Sequence, residues 1–409
     1  MFVIDDGTNV PVKVWLKDES KLQDTCREQA EHLARLPFLY KWACLMPDSH
    51  AGAGMPIGGV IACKDVIIPN AVGVDIGCGM NFVATNIKVS DIRDIQTGNG
   101  SMIQSIIGDI MRNVPVGKDK FKKAQESHVI DTAKENIDKY NKVEDLLYLI
   151  DDAYYHVGTL GGGNHFIELQ EDQDGYLCIM LHSGSRKLGA EICRHFWKVA
   201  VANKEQYGST VPEDYHLDFL PVDSEEGQNY INWMLLAMDY AEENRDVMMK
   251  SVMESVKAKI EKFTDLEVSY SDYINCHHNY AALENHYGED VWVHRKGAIR
   301  IMEGEKAVIP GAMGSYSYVV EGKGNIESFN SASHGAGRNY SRTEAMEKFS
   351  VEQVIVDLKE KNIILGKKKK TDVPEESRFA YKDIDEVIAE ELDMITPIRK
   401  LFTVGVVKG

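Results

Sequence analysis

The sequence predicts one domain of mixed α/β class, and three observations carry that expectation. Short, glycine-punctuated runs of β-branched residues alternate with stretches of helical spacing along the whole chain. Side chains suited to chemistry are spread from Asp75 to His334, which opposes a division into independent modules. At 409 residues, with 44% hydrophobic and 27% charged side chains, the chain has ordinary globular usage and enough length for a sizeable core.

Apolar and polar residues alternate over 10–15, predicting a strand, and a helix is expected around 22–36. Residues 46–80, MPDSHAGAGMPIGGVIACKDVIIPNAVGVDIGCGM, read as short strands between glycine turns, a loop-built site resting on sheet edges. Residues 103–111 and 131–151 have helical spacing, the second interrupted near Asn141, and 155–181 returns to short strands. Between 229 and 263 apolar residues recur at three and four, including Met234, Leu235, Met238, Ala241, Val247, Met248 and Val252. One or two long amphipathic helices follow, with the methionines as core filling.

Residues 291–320 read as strands. Ser341 with Glu344 three positions on has capping-box spacing and opens a helix to about residue 359. A last helix is expected over 384–400, before the closing TVGVVKG, and no internal repeat is visible.

No run approaches the length of a membrane-spanning helix, and MFVIDDGTNV carries acids where a secretory leader would be basic. The seven cysteines are scattered without a CxxC pair, which suits a reduced, cytoplasmic setting. A net charge of −18 excludes a general nucleic-acid coat, although a local basic or metal-lined groove is compatible with it. Residues 367–370, four lysines in succession, stand out in this acidic chain and read as a solvated loop rather than an RNA-facing patch.

Six reactive residues stand in glycine-rich frames: Asp75 and Cys78 in VGVDIGCGM, His165 in LGGGNHFIE, His182 in LHSGSRKLG, His278 in CHHNY and His334 in SASHGAGR. Glycine is kept where the chain needs positive φ or where a ligand approaches the main chain. Asp75 and Cys78 are spaced to reach one ion, as a buried cysteine beside a capping aspartate would also be. Glu168 is read as a polar ligand contact rather than a metal ligand, since a strand leaving Asn164 aims it away from His165. Alternation sends only one of His277 and His278 inward.

In SASHGAGR, successive main-chain N–H groups can form an anion nest, Arg338 can pair with phosphate, and a histidine there can act as nucleophile or general acid. PGAMGS, at 310–315, is a second glycine loop without the Walker lysine, so a P-loop is excluded. One thiolate, one carboxylate and three imidazoles exceed what a four-coordinate catalytic zinc with an open position needs. They suit two ions sharing the thiolate, an arrangement used in phosphoryl transfer, and ligand softness permits zinc, cobalt or manganese.

With MPDSHAGAGMPIGG, VGVDIGCGM, GGGNHFIE, LHSGSR, HHN, HRKGA, PGAMGS, SHGAGR and VVKG in this order over nearly its whole length, the chain resembles the RtcB family of RNA-splicing ligases, in the shorter bacterial size. The resemblance implies a mixed α/β fold of central β-sheets wrapped by helices, with the metal and GTP site in a central cleft. It implies joining of RNA 2′,3′-cyclic phosphate or 3′-phosphate ends to 5′-hydroxyl ends, using GTP and two Mn²⁺ ions. Asp75, Cys78 and His165 would hold one ion, and Cys78, His182 and His278 the other; His278 is preferred because the family ligand directly precedes the asparagine, here Asn279. His334 would carry GMP. The GTP contacts would fall on Asn164, His165, Phe166, Ile167, Glu168, His278, Asn279, Pro310, Gly311, Ala312, Met313, Ser317, His334, Gly335, Ala336, Gly337 and Lys408. The departures, SHAGAGM for a commoner VHxGxG form and Ala312 where serine is frequent, bear on substrate preference. The competing expectations are a binuclear phosphohydrolase that needs no GTP and a metal-sensing or RNA-binding module without catalysis.

Overall fold

The computed structural model describes residues 1–98 and 100–409. Two large sheets organise them. The first has six strands in the order Phe2–Ile4, Val12–Val14, Leu39–His50, Ile57–Cys63, Glu289–Lys296, Asn279–His286. The second runs Tyr270–His277, Gly79–Lys88, Tyr176–Ser183, Phe166–Asp172, Ile395–Lys408, Tyr316–Gly322, Lys306–Ile309, with Ile364–Gly366 parallel beside Ile395–Lys408. Its first and last strands lie against one another, so the sheet curls toward a closed barrel.

Period-two alternation explains why this curled sheet is covered on both faces. Met80, Phe82 and Ala84 of its second strand pack with Phe166, Met180 and Val406 on one side. Val83 and Ile87 face the other way, toward Ile103, Ile107, Met248 and Val252.

Those last two residues belong to one uninterrupted helix, Glu225–Phe263, capped by the Ser224 hydroxyl accepting from the Gly227 amide. Its 39 residues span roughly 58 Å at about 1.5 Å per residue. Tyr230, Trp233, Ala237, Tyr240, Met248 and Val256 form its buried stripe. Leu235 and Val247, counted in the apolar spacing, instead face solvent at 46% and 37% exposure.

Several boundaries differ from expectation. The helix expected over 384–400 stops at Glu390, and Ile395–Lys408 is a strand of the curled sheet. Pro397 explains this: it lacks the N–H a helix interior needs, and the strand takes it up at a register shift opposite Val320. The helix opened by the Ser341–Glu344 capping box ends at Lys348, and Ser350 caps a new one, Val351–Glu360. Residues 131–151 resolve into two helices, His128–Glu135 and Tyr148–Ala153, joined by two single 3₁₀ turns. The helix Arg186–Ala202 and the strands Gly79–Lys88, Tyr270–His277 and Asn279–His286, the last two consecutive in the chain but in different sheets, are additions to the expected elements. All seven cysteines are free, and no helix among the described residues is long and apolar enough to cross a membrane.

Candidate active site

Strand register gathers the glycine-framed residues at one rim of the curled sheet. His182 lies opposite both Met80 and Phe166, and Gly79 lies opposite both Ser183 and His277. Cys78, His165 and His278 each sit one residue beyond those paired positions, so they converge with His182 although 200 positions separate Cys78 from His278. Cys78 Sγ is 3.5 Å from His165 Nε2 and 3.3 Å from His182 Nε2. His165 Nε2 is 3.0 Å from Asp75 Oδ2, and His182 Nε2 is 3.0 Å from His278 Nε2. The thiol thus stands between an Asp75–His165 pair and a His182–His278 pair.

The outer ring nitrogens set the tautomers. His165 Nδ1 donates to the Leu160 carbonyl at 2.8 Å, and His182 Nδ1 to the Asn164 carbonyl at 3.2 Å. His278 Nδ1 is 3.2 Å from Asn279 Oδ1, which also accepts from the Gly297 amide. Each Nε2 therefore turns a lone pair inward. Converging lone pairs on buried neutral imidazoles beside a thiol are the donor set a soft-to-borderline divalent cation requires. Burial, with the neighbouring histidines, holds His182 and His278 well below the ordinary imidazole range. Burial and Asp75 push the Cys78 thiol well up, so cation binding must release that proton. Among the described residues, buried Cys78, His165 and His182 form the one metal-type cluster, their ligand atoms all within 4.8 Å of one another.

The long helix backs this rim with two buried polar residues. Asn244 accepts from the Gly158 and Thr159 amides and donates to the Gly184 carbonyl. Arg245 donates to the Gly77 carbonyl at 2.8 Å and the Ser183 carbonyl at 3.1 Å, and reaches His277 Nδ1 at 3.1 Å. His277 is thereby held outside the cluster. Gly77, at φ +73°, lets the Asp75–Cys78 loop press onto the helix, since a Cβ there would lie 2.9 Å from the Met238 Cα.

His334 comes from the loop after Ser331–Ser333, and its ring centroid is 4.8 Å from that of His278. Its Nδ1 is 2.6 Å from Asp48 Oδ2, and the same oxygen accepts from the His334 and Gly335 amides. Asp48 is fully buried at the end of Leu39–His50. Lys382 Nζ clamps both flanking carbonyls, Pro47 at 3.0 Å and Ser49 at 2.7 Å. Gly337, at φ +72°, passes so close to the Asp48 carbonyl that a Cβ would collide with it. Glu391, pushed up to about 8 by burial, accepts from the Ser333 amide at 2.9 Å.

A cavity of about 660 Å³ opens above His334. Asn164, Phe166, Glu168, Pro310, Gly311, Ala312, Met313, Gly335, Ala336, Gly337 and Lys408 line it, with His182, His334 and Arg338. Ile167 points to the opposite face of its strand, among the core residues of the long helix, so only its main chain is available on the cavity side. Ser317 Oγ accepts from the Gly311 amide at 3.1 Å, and so shapes the loop rather than the wall. Asn279 Nδ2 donates to the Asp75 carbonyl at 3.2 Å. Burial lifts Glu168 to about 7, while its Oε2 accepts from Thr403 at 2.8 Å and Gln170 at 2.7 Å. Lys408 Nζ lies 3.4 Å from Glu376.

Sequence reading passed over Asp48, His50, Asn244, Arg245, Lys382 and Glu391. Asp48 and His50 lie inside the quoted MPDSHAGAG, where Asp48 Oδ2 meets a residue 286 positions away. His50 lines the cavity and is held down to about 4 by burial. Asn244 and Arg245 had a legible signal, two polar residues within an apolar helical stripe.

A mixed α/β fold with a buried thiol–imidazole metal-type cluster, whose His182 reaches the cavity beside His334, is the architecture of an enzyme with a candidate metal centre. Residues 29–409 match the family model described as RtcB, tRNA-splicing ligase RtcB. The chain is 37% identical over 412 residues to the RNA-splicing ligase RtcB of Escherichia coli strain K12, covering 98% of each chain. It is 32% identical to the tRNA-splicing ligase RtcB of Nanoarchaeum equitans, covering 98% of this chain and 96% of that one. For the Thermococcus kodakarensis protein of the same description the identity is 31%, with 99% and 96% covered. The chain belongs to the RtcB family of tRNA-splicing ligases.

Proposed function

We propose that this protein is a GTP- and Mn²⁺-dependent RNA ligase that joins 2′,3′-cyclic phosphate or 3′-phosphate ends to 5′-hydroxyl ends through a guanylylated His334. The observation that carries the reading is His334 itself, at the cavity floor beside the His182–His278 pair, with Nδ1 pinned by buried Asp48. That bond fixes the ring and leaves Nε2 as the nucleophilic lone pair. Its attack on the α-phosphorus forms a P–N bond as the bond to pyrophosphate breaks. A 2′,3′-cyclic end is first opened by water, which breaks the P–O2′ bond and leaves a 3′-phosphate; the RNA 3′-phosphate then takes the guanylate from Nε2, and the 5′-hydroxyl oxygen displaces GMP to form the phosphodiester.

Asp75, Cys78 and His165 would hold one manganese, and Cys78, His182 and His278 the other. Bound there, the ions supply positive charge against the phosphate oxygens in each displacement. The successive amides of Ala336 and Gly337 are suited to an α-phosphate, while the Gly335 amide is spent on Asp48. Glu168 and Lys408, an acceptor and a donor lining one cavity, match a base with adjacent N–H donors and a carbonyl acceptor, which is the guanine edge.

The test is to mix a cyclic-phosphate RNA with a 5′-hydroxyl RNA, Mn²⁺, and α-labelled GTP. A joined product that needs GTP, with transient label on the protein, is expected. Opening of the cyclic phosphate at equal rate without GTP would instead identify a phosphohydrolase.

Asp48→Asn is expected to slow labelling by roughly 10²- to 10⁴-fold, because the amide no longer stabilises the charge arising on His334. Metal stoichiometry, measured by isothermal titration with Mn²⁺, should stay unchanged in that variant.

GTP affinity should rise with pH through about 7, where Glu168 becomes the anion that accepts from the base. Stability runs the other way: a carboxyl raised in the folded state contributes fully below its ordinary value near 4.5 and loses that contribution as pH rises through about 7. Fluorescent-nucleotide titration across this range checks the first trend, and Glu168→Gln should flatten it.

A further inference from the structure

Eight of the chain's 46 lysines and arginines fall in the ten positions 118–123 and 367–370. In a chain of net charge −18 that density needs a reason. The fold brings the two segments together: Lys368 Nζ is 2.9 Å from Asp119. Both then adjoin the Gly161–Gly163 turn, since the Gly117 amide donates to the Gly161 carbonyl at 2.8 Å, and Lys367 Nζ donates to the Gly409 carbonyl, with Gly409 packed against Gly161 and Gly162. The other side of the turn meets the catalytic cavity: Gly163 packs against Arg342, and Arg342 and Lys408 line that cavity.

Lys120 is paired with Asp152, and Lys367 with Asp372. Lys118, Lys122, Lys123, Lys369 and Lys370 are exposed and have no acidic partner among the described residues. The exposed ammonium groups therefore form a strip that ends at the cavity mouth.

We propose that this strip, made of two lysine runs joined at the Gly161–Gly163 turn, is a track for the phosphodiester backbone of the RNA whose end is joined in the cavity. This inference rests on the RNA-ligase reading above. Lysine ammonium groups bind phosphate without reading sequence, so the track holds RNA several nucleotides from the joined end largely irrespective of its bases. The acidic remainder of the surface repels a polyanion and confines it to this path.

The experiment compares the full chain with a variant carrying Lys118→Gln, Lys122→Gln, Lys123→Gln, Lys369→Gln and Lys370→Gln. Binding of a fluorescein-labelled single-stranded RNA ending in 3′-phosphate is measured by anisotropy over a series of NaCl concentrations. At about 0.7 per phosphate contact, the slope of log K against log salt should become shallower by up to about 3.5. Labelling of His334 by α-labelled GTP should remain at the wild-type level, which also reports that the variant is folded. The double variant Lys369→Gln/Lys370→Gln should give an intermediate slope.

Unchanged RNA affinity and slope overturn the track. So does a loss confined to phosphatidylserine-containing vesicles with RNA binding intact, which would make the strip a membrane contact. A wild-type protein that joins no RNA, yet loses RNA binding on neutralisation, removes the ligase reading and keeps the track. A wild-type protein that ligates while the variant binds normally removes the track alone.

Discussion

Replacing His334 by alanine is expected to abolish both protein labelling by α-labelled GTP and joining of RNA ends, on the order of 10⁴-fold or more. The Nε2 lone pairs of His165, His182 and His278 turn into the thiol cluster, and His50, whose Nδ1 lies 3.0 Å from the Asp48 carbonyl, lacks the carboxylate contact that holds His334. The same variant should bind Mn²⁺ with wild-type stoichiometry, because His334 contributes no atom to the cluster. Gel autoradiography and isothermal titration measure the two halves, and persistent labelling of His334→Ala would remove the nucleophile from this residue.

The second large effect is expected from Cys78→Ser. Its sulfur lies between His165 and His182, so a hydroxyl with a much higher pKa removes the one donor common to both halves of the cluster. High-affinity binding of both ions should be lost together, with ligation reduced by roughly three orders of magnitude or more. With Co²⁺ as probe, the thiolate charge-transfer absorption should vanish. Loss of a single ion, the other remaining at wild-type affinity, would show that the thiolate is not shared.

The reactive residues were legible because their local frames are unusual. Histidines and a cysteine set among glycines advertise a ligand approaching the main chain, and strand Tyr176–Ser183 was announced by its apolar run, whereas Gly79–Lys88 was not. Partners supplied from across the fold were not. Asp48 and Lys382 act through contacts 286 and 335 positions long, and no local pattern encodes such distances. The helix Arg186–Ala202 has its spacing written in Leu188, Ile192, Cys193, Phe196 and Ala200, but Gly184 and Gly189 obscure its start. The end of the chain misled for the opposite reason: helical spacing carried past Glu390 into a strand that tertiary pairing, with Pro397, decides.

The register that lines up His182 with Met80 and Phe166 has an entropic meaning. The donors are brought together by sheet formation, so the loop-closure entropy of joining positions 75 and 278 is met before any ion arrives. Ion binding here is consequently separable from folding, unlike in small domains that are unfolded without their metal. A chelator should empty this centre and leave the protein standing, which makes the ion a replaceable reagent rather than a structural keystone.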